Sequence, residues 1–498
     1  MGAPRRRTPA SKPKTKAKRK SDYVMGPSPR DVFSLSRPEP PGPPARSLPE
    51  LERLELLVAN PDLYDVADQV FPCRTPSTRG RRPAYPPFIY LILLASISIF
   101  ETAEMACANF QHEHMWKTVR EGVRQHRGDT AADSLPETGP QRHHWHDFRP
   151  KMLDALHELR EGSRDAWINQ ALAQGMLARK RRGTLVRPHR SQVISGDGTV
   201  VKPASDQTEE FTVDEKTGEL QHHRVDPDAT VQLEGGDREI YGNKLVSFSV
   251  RDECSPHSRI ILNTDTARHQ STDLDPDRQE EAKVALRLAL EIRARAPGNH
   301  TVVYDKAWRG VHRAPLIRAG LMVFTRQYDG LKPHPLKKYR YESTGCTHDL
   351  YAAEGRACDR LITVEGKTLY DPIPVREVEY RSGEESRFYH ILEIPCRKGS
   401  HVERIPVYET REDQMLDPRT RRMRFNRTEH LRIIPPGTVA GDRLLGFRQD
   451  SESVFSTLDE THRLRRVPAY GADGALLIYI GYAWAKNSVA LGISRRTR

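Results

Sequence analysis

The chain has 498 residues, 37% of them hydrophobic, so it can bury a sizeable core and should divide into roughly two to four domains. Its formal net charge is +12, but nine Lys and Arg residues and no acid lie within residues 1–20, which leaves about +3 (12 − 9) for the remainder. The six cysteines are too sparse for a disulfide-stapled scaffold, and the first residues do not resemble a secretory signal, so we expect a reduced, cytoplasmic setting.

The first segment, residues 1–48, combines this basic charge with many proline and serine residues. Such a composition predicts a disordered basic arm that binds a polyanion. A solvated leader without a binding role is the alternative, and charge alone does not separate DNA from RNA or an anionic membrane.

Residues 49–185 show the periodicity of helices. Leu51, Leu54 and Leu57 are spaced to share one helical face, and turn-rich stretches divide the segment into several helices. The most apolar run, residues 88–100, is shorter than the roughly 20 residues that cross a bilayer, so it predicts a buried helix and no membrane association. The segment is interpreted as a helical DNA-binding domain, with a plain helical scaffold as an equal alternative.

Residues 186–326 alternate strands with helices. Five strands and two helices are predicted, in this order: strand 192–201, strand 244–250, strand 258–263, helix 278–296 with Asp275 as N-cap and Pro276 in its first turn, strand 300–304, helix 311–319 and strand 321–325. This is the order of an RNase H-like core, an α/β fold whose mixed sheet carries one acid on its first strand and another at the end of its fourth. The segment is therefore predicted to be the first part of such a core.

The remaining chain is predicted to complete the core after an interruption. Residues 327–440 are rich in Tyr, Val, Ile and Arg, which predicts a β-rich insertion. Its strand-like pieces lie at 361–364, 388–394 and 402–407. Residues 441–498 return to helical periodicity, with a helix at 447–464 and an amphipathic stretch at 476–491. We expect these C-terminal helices to supply a third acid.

Two acids lie within or at the end of an apolar strand, where burial of a carboxylate without a partner costs free energy. Asp197 interrupts an apolar strand between Gly196 and Gly198, which let another group approach closely, and Asp305 ends the predicted fourth strand. The alternative for each is an ordinary turn Asp. Their expected position on neighbouring strands favours a shared site.

Three motifs surround these acids and a third one: Gly196-Asp197-Gly198-Thr199, Tyr304-Asp305-Lys306-Ala307-Trp308-Arg309-Gly310 and Arg448-Gln449-Asp450-Ser451-Glu452-Ser453. They resemble the acid motifs of DDE transposases encoded by bacterial insertion sequences, in the group with a β-strand insertion before the third acid. There the last motif runs Tyr, two residues, Arg, three residues, Glu, six residues, Lys. The Arg448 to Glu452 spacing is kept, but Leu445 replaces the Tyr and Asp459 replaces the Lys. Three basic residues are candidates for the missing charge: Arg463, Arg465 and Arg466.

The resemblance, over roughly residues 50–490, implies that Asp197, Asp305 and Glu452 are the catalytic residues and the ligands of Mg²⁺ or Mn²⁺, with two ions expected. Two such ions about 3.5 to 4 Å apart activate the attacking oxygen and stabilise the leaving oxygen of a phosphodiester. The implied reaction is cleavage at transposon ends followed by transfer of the 3′ hydroxyl into target DNA. The implied partners are double-stranded DNA and a second copy in a homodimer, in the bacterial cytoplasm at the nucleoid.

Five side chains near these motifs are candidates for DNA contacts: Lys244, Lys306, Trp308, Arg309 and Arg448. Each has a plainer alternative, a core aromatic for Trp308 and a solvent-facing side chain for the basic residues. Arg448 and Glu452, four residues apart, are alternatively a surface ion pair. Glu460 is the rival for the third acid.

The insertion also contains six soft ligands: Cys346, His348, Cys358, His390, Cys396 and His401. Their spacing lacks the paired Cys-x₂-Cys pattern of zinc sites, so buried thiols are favoured and a structural Zn²⁺ is not expected. Two alternatives to a transposase are an RNase H-like nuclease that does not join strands and a transposon-derived DNA-binding protein without catalysis.

Overall fold

The computed structural model describes residues 23–35, 47–72, 84–214, 216–234, 238–252, 257–268, 280–328, 330–419, 421 and 423–497. This part of the chain contains thirteen α-helices and sixteen β-strands, so the protein has a mixed α/β fold with several sheets. Apolar residues of the helices and of the central sheet form one continuous hydrophobic core.

Seven helices precede the first long strand: α1 (Glu50–Val58), α2 (Pro61–Val70), α3 (Pro87–Ser96), α4 (Ala103–Phe110), α5 (Glu113–Asp133), α6 (Arg142–Asp154) and α7 (Leu156–Ala173). Several of these helices start at residues that favour a helix N-terminus. The Asn60 side chain accepts a hydrogen bond from the Asp62 N–H and caps α2, with Pro61 in its first turn. Every residue of α3 after Pro87 is buried, which agrees with the apolar run predicted there.

The central sheet consists of β2 (Val193–Val201), β6 (Arg238–Val250), β7 (Ile260–Ala267), β8 (Thr301–Val303) and β9 (Met322–Phe324). Their order is β7-β6-β2-β8-β9, and β6 runs antiparallel to the other four. The first half of β6 also pairs with β5 (Thr230–Glu234). Because β2 and β8 are parallel neighbours, Val193 faces Thr301 in the register, and β8 ends opposite Ser195, six residues before the end of β2.

Five helices pack on this sheet: α7, α8 (Glu281–Arg295), α9 (Gly310–Arg318), α12 (Val439–Thr461) and α13 (Ala472–Thr497). Within the described residues, α13 is the helix that is long and apolar enough to cross a membrane. From the sequence, only residues 88–100 were considered for this role. The most apolar window of α13 is 72% buried inside the protein. The indole of Trp484 donates to Ser163 of α7, and the Asn487 side chain pairs with the Ile261 backbone of β7, as expected of a core helix.

Seven strands lie between β9 and α12, where the sequence predicts a β-rich insertion: β10 (His334–Tyr341), β11 (Cys346–Ala353), β12 (Arg356–Ile362), β13 (Thr368–Pro372), β14 (Val375–Arg381), β15 (Arg387–Ile394) and β16 (His401–Pro406). They form two sheets. One has the order β13-β12-β11-β10, and the other has the order β14-β15-β16. Two short helices, α10 (Arg411–Gln414) and α11 (Arg427–His430), lead from them to α12.

The prediction that all of residues 1–48 form a disordered arm is wrong for residues 23–35. Strand β1 (Val24–Met25) pairs in parallel with β13, and Phe33 is completely buried in the main core. Asp31 forms a 3.0 Å ion pair with Arg356, and both side chains are almost fully buried. These partners are more than 300 residues away, so local composition does not reveal them. Residues 1–22 and 36–46 lie outside the described residues.

Other element boundaries differ from the predictions for identifiable reasons. Helix α8 begins at Glu281, after Glu280 in extended conformation, while Asp275 and Pro276, the predicted start, lie outside the described residues. Helix α12 begins at Val439, eight residues before the predicted start, because the Thr438 hydroxyl caps it by accepting from the Gly441 N–H. Three strands between β2 and β6 were not predicted: β3 (Phe211–Val213), β4 (Leu220–His222) and β5.

Glu291 of α8 is the centre of an ion network that joins α7 to the sheet. Its carboxylate lies 3.3 Å from Arg160 and 3.1 Å from Arg164, and it accepts a 2.9 Å hydrogen bond from Asn263 of β7. Burial would raise the pKa of Glu291, but Arg160, Asn263 and Arg287 outweigh it and lower that pKa to about 2. The charged form of Glu291 therefore stabilises the folded state.

We expect Glu291→Gln to lower the free energy of unfolding at pH 7 by about 2 kcal/mol. Because the folded-state pKa lies below the unfolded-state value, this difference is complete above about pH 4.5 and falls by about half near pH 3.5. Urea unfolding of both proteins between pH 7 and 3.5 measures it. Glu280→Gln, at a more exposed position before the same helix, is the control and should match the wild type. A difference that stays constant down to pH 3.5 would contradict the assignment.

Candidate active site

Asp197 lies in the middle of β2 and is 8% exposed. The two flanking glycines are required by their surroundings. A Cβ at Gly196 would lie 2.2 Å from the ring of Phe248, and a Cβ at Gly198 would lie 2.3 Å from a carboxylate oxygen of Glu281. Positions 196 and 198 share one face of the strand, so the motif brings that face of β2 directly against an aromatic ring and a second acid.

Asp305 follows β8, the parallel neighbour of β2, so the fold brings it to the same sheet edge as Asp197. Its carboxylate accepts a 2.7 Å hydrogen bond from the Ala307 N–H, which fixes it at the start of the loop. Burial and the nearby Glu281 carboxylate raise the pKa of Asp305. Two of the three acids named from the sequence are thus electrostatically coupled neighbours.

A further acid at this edge, Glu281, was missed by the sequence analysis. It is the first residue of α8, and its side chain lies between two partners. The Tyr304 hydroxyl donates to it at 3.0 Å, and the Lys244 ammonium lies 3.1 Å from its other oxygen. No local motif marks Glu281, because only the packing of α8 on β2 and β6 brings it to the acids.

The third acid, Glu452, is linked to Asp197 by an arginine that contacts both carboxylates. The guanidinium of Arg448 lies 3.4 Å from both carboxylate oxygens of Asp197 and 3.5 Å from the carboxylate of Glu452. Helix α12 is held against β2 by a 3.0 Å hydrogen bond from Ser451 to Ser195. The side chain of Glu452 is 51% exposed, so it lies at the solvent side of the site.

Glu460, the rival for the third acid, lies eight residues beyond Glu452, or about 12 Å along the helix axis. It is exposed, and its electrostatic neighbours are Tyr482 and Lys486 of α13. Only Glu452 shares an arginine with Asp197. The geometry therefore favours Glu452 as the acid of α12 that belongs to the site.

The site carries more negative than positive charge. Burial is the main reason that the pKa of Asp197 is raised to about 6; Arg448 opposes this, whereas Asp305 and Glu281 add to it. Four acids, Asp197, Glu281, Asp305 and Glu452, stand against two cations, Lys244 and Arg448, which leaves two uncompensated negative charges (4 − 2). A buried excess of carboxylate oxygens is the environment in which Mg²⁺ or Mn²⁺ binds, so the donor set fits a hard divalent cation.

The structure corrects two of the predicted DNA contacts. Trp308 is 1% exposed, stacks on Tyr304 with ring centroids 4.5 Å apart, and donates its indole N–H to the Ala282 carbonyl, so it is a core residue that no base can reach. Lys244 is 11% exposed and is the ion-pair partner of Glu281, so its charge is balanced by a carboxylate within the site.

The other three candidates differ in what they offer to a polyanion. Lys306 is exposed beside Asp305. Arg309 is 45% exposed, but it pairs with Glu429 at 2.9 Å and covers the ring of Tyr328. Arg448 lies between two acids of the site, so its nearest role is to hold them together rather than to contact DNA.

The positions where the last motif departs from the resembled pattern lie along α12 and just beyond it. Leu445 is half-buried against the core, and Asp459 is exposed and is electrostatically close to Lys202 and Arg465. Of the three basic candidates after the helix, Arg463 and Arg465 are exposed, whereas Arg466 pairs with Asp206.

Of the six soft ligands, the fold brings four together, namely Cys346, His348, Cys396 and His401. The other two lie elsewhere: Cys358 is buried against Tyr370, and the His390 ring is bonded to the Ile433 carbonyl. The prediction of buried thiols is therefore confirmed for Cys358, whereas the two cysteines of the cluster are only partly buried.

No protein-family model matches this sequence, and no curated protein matches it.

Proposed function

We propose that this chain is a DNA transposase with an RNase H-like core, in which Asp197, Asp305 and Glu452 hold Mg²⁺ or Mn²⁺ for cleavage and joining of phosphodiesters. The observation that carries the proposal is the convergence of the three motif acids. Asp197 within β2 and Asp305 just after β8 lie on neighbouring parallel strands, and Arg448 connects Asp197 to Glu452 on a distant helix.

The topology supports the proposal. Leaving aside the short hairpins between β2 and β6, the central strands follow in the order β2, β6, β7, β8 and β9, with α8 before β8. Asp197 therefore lies on the first strand and Asp305 just after the fourth, as the resemblance implies. The strand-rich segment between β9 and α12 corresponds to the insertion before the third acid.

Each residue of the site has a defined task in this proposal. Asp197, Asp305 and Glu452 would hold the cations, which supply activation of the attacking oxygen and charge neutralisation at phosphorus. Lys244 and Tyr304 orient Glu281, whose charge adds to the field that attracts a cation. Arg448 holds the Asp197 and Glu452 carboxylates near one another before the metal binds and balances part of their charge.

The DNA-binding parts of the proposal rest on the resemblance and on charge. Helices α1 to α7 are the candidates for holding the transposon end, and the nine basic residues within 1–20 are candidates for additional phosphate contacts. Joining of DNA ends requires two ends in one assembly, so we propose a homodimer on double-stranded DNA at the bacterial nucleoid.

The test uses the full chain and a DNA duplex that carries the terminal repeats flanking its gene. With Mg²⁺ and a target plasmid, we expect cleavage at the repeat followed by covalent joining of the freed 3′ end to the plasmid. Cleavage without joining would replace the proposal by a nuclease. Binding of the repeats without Mg²⁺- or Mn²⁺-dependent cleavage would replace it by a DNA-binding protein.

A further inference from the structure

The two sheets of the β-rich segment meet at a cluster of two cysteines and two histidines. Cys346 and His348 begin β11, and because they are two residues apart on a strand their side chains share one face. Cys396 lies in the loop after β15, and His401 is the first residue of β16. One potential ligand atom from each of the four lies within 4.8 Å of all the others.

We propose that Cys346, His348, Cys396 and His401 bind one structural Zn²⁺ that joins these two sheets. The site is separate from the acids, and the proposal holds whatever reaction the acids perform. Two thiolates and two imidazoles form the donor set that selects Zn²⁺, and two thiolates neutralise its charge.

The distances suit a tetrahedral ion after small movements. Zn–N bonds of about 2.0 Å and Zn–S bonds of about 2.3 Å place neighbouring ligand atoms about 3.3 to 3.8 Å apart. The Cys346 sulfur and the His401 Nε2 atom are 3.0 Å apart, and the widest separation in the cluster is 4.8 Å. The shortest separation would lengthen by about 0.5 Å and the widest would shorten by about 1 Å to give the required geometry.

The histidine that is most buried is already oriented for a metal. His348 is 8% exposed, and its Nδ1 atom lies 2.6 Å from the Asp359 carboxylate. Its Nε2 atom is buried and makes no regular hydrogen bond within the described residues; the Cys396 thiol is the polar group beside it. A carboxylate on one ring nitrogen with the other directed at thiols is the arrangement of metal-binding histidines.

The remaining neighbours fix the other ligands. The ring of His401 stacks on Tyr341 with centroids 3.7 Å apart, and the Tyr341 hydroxyl donates to Glu403 at 2.7 Å. The Cys346 sulfur also contacts the Thr344 hydroxyl at 2.9 Å. Ligands from β11 and from the β15 to β16 connection thus come from different sheets, so one ion would cross-link them.

The first experiment measures zinc in the full chain, purified under reducing conditions from zinc-replete cells and dialysed without chelator. We expect about one zinc per chain, and X-ray absorption at the zinc edge should show two sulfur and two nitrogen ligands. The double variant Cys346→Ser/Cys396→Ser should lose the zinc. The matched control Cys358→Ser/Cys107→Ser removes two buried thiols outside the cluster and should keep it.

The second experiment uses the wild-type protein, so its outcome does not depend on whether the double variant folds. Chelation of the wild type should lower Tm by at least about 5 °C, and Zn²⁺ but not Mg²⁺ should restore it. Asp359→Asn should weaken zinc affinity about 10- to 100-fold, because His348 loses its orienting carboxylate. Any of three results would overturn the proposal. They are a zinc content far below one per chain, zinc retained by the double variant, and a Cys346–Cys396 disulfide in protein purified under reducing conditions.

Discussion

Asp197→Asn is expected to lower Mg²⁺-dependent DNA cleavage by about a thousandfold or more. Asn has the size of Asp but offers one neutral oxygen, so the buried edge of the sheet loses a metal ligand while its packing is kept. Terminal-repeat binding should be unchanged, because Asp197 is 8% exposed and lies behind Arg448. Cleavage rates and binding affinities measured on the same duplex separate the two effects.

The same substitution has a readout that does not depend on catalysis. Because burial, Asp305 and Glu281 disfavour the charged form of Asp197, removal of its charge should raise the metal-free stability, by up to about 3 kcal/mol. Mg²⁺ should stabilise the wild type against unfolding and should stabilise the variant much less. Unchanged cleavage by Asp197→Asn, or equal stabilisation of both proteins by Mg²⁺, would contradict the metal assignment.

Asp450→Asn is expected to lower the free energy of unfolding by about 3 kcal/mol or more. Asp450 is 5% exposed and is surrounded by three arginines, with Arg190 at 2.7 Å and both Arg251 and Arg259 at 3.1 Å. These arginines lower the pKa of Asp450 against the opposing effect of burial. Without the carboxylate, three cations face one another around a neutral amide.

The neighbouring Glu452 provides the matched comparison, because it lies two residues away on the same helix. Glu452→Gln should leave the free energy of unfolding within about 0.5 kcal/mol of the wild type, since its side chain is half exposed, but should abolish cleavage. Glu460→Gln should change neither. Denaturant unfolding and cleavage assays on the three variants test this pattern, and loss of cleavage in Glu460→Gln with normal cleavage in Glu452→Gln would reverse the assignment of the third acid.

The sequence predicted the elements whose signals are local. The apolar strand that Asp197 interrupts indicated β2, and the helix formers of residues 278–296 indicated α8. Both elements are present within a few residues of their predicted bounds. The same local patterns led to Asp197 and Asp305, because acids interrupt or end apolar strands there.

What the sequence did not reveal depends on contacts between distant residues. Glu281 belongs to the site only because the start of α8 packs against β2, and Trp308 is a core residue because it packs beside Phe248 of β6 and donates to the Ala282 carbonyl of α8. The cysteine and histidine cluster was discounted because its members lack a short paired spacing, yet the packing of two separate sheets brings them together. Non-local pairing leaves no periodicity in a single sequence.

The docking of residues 23–35 on the β-rich segment also constrains how the protein is made. Phe33 and Asp31 leave the ribosome more than 300 residues before Arg356, which lies over the Phe33 ring and pairs with Asp31. At synthesis rates of about 5 to 20 residues per second, roughly 15 to 65 s pass before Arg356 exists. During translation this stretch therefore has to remain soluble with an uncovered aromatic side chain, and a nascent chain halted before Arg356 would present Phe33 to chaperones.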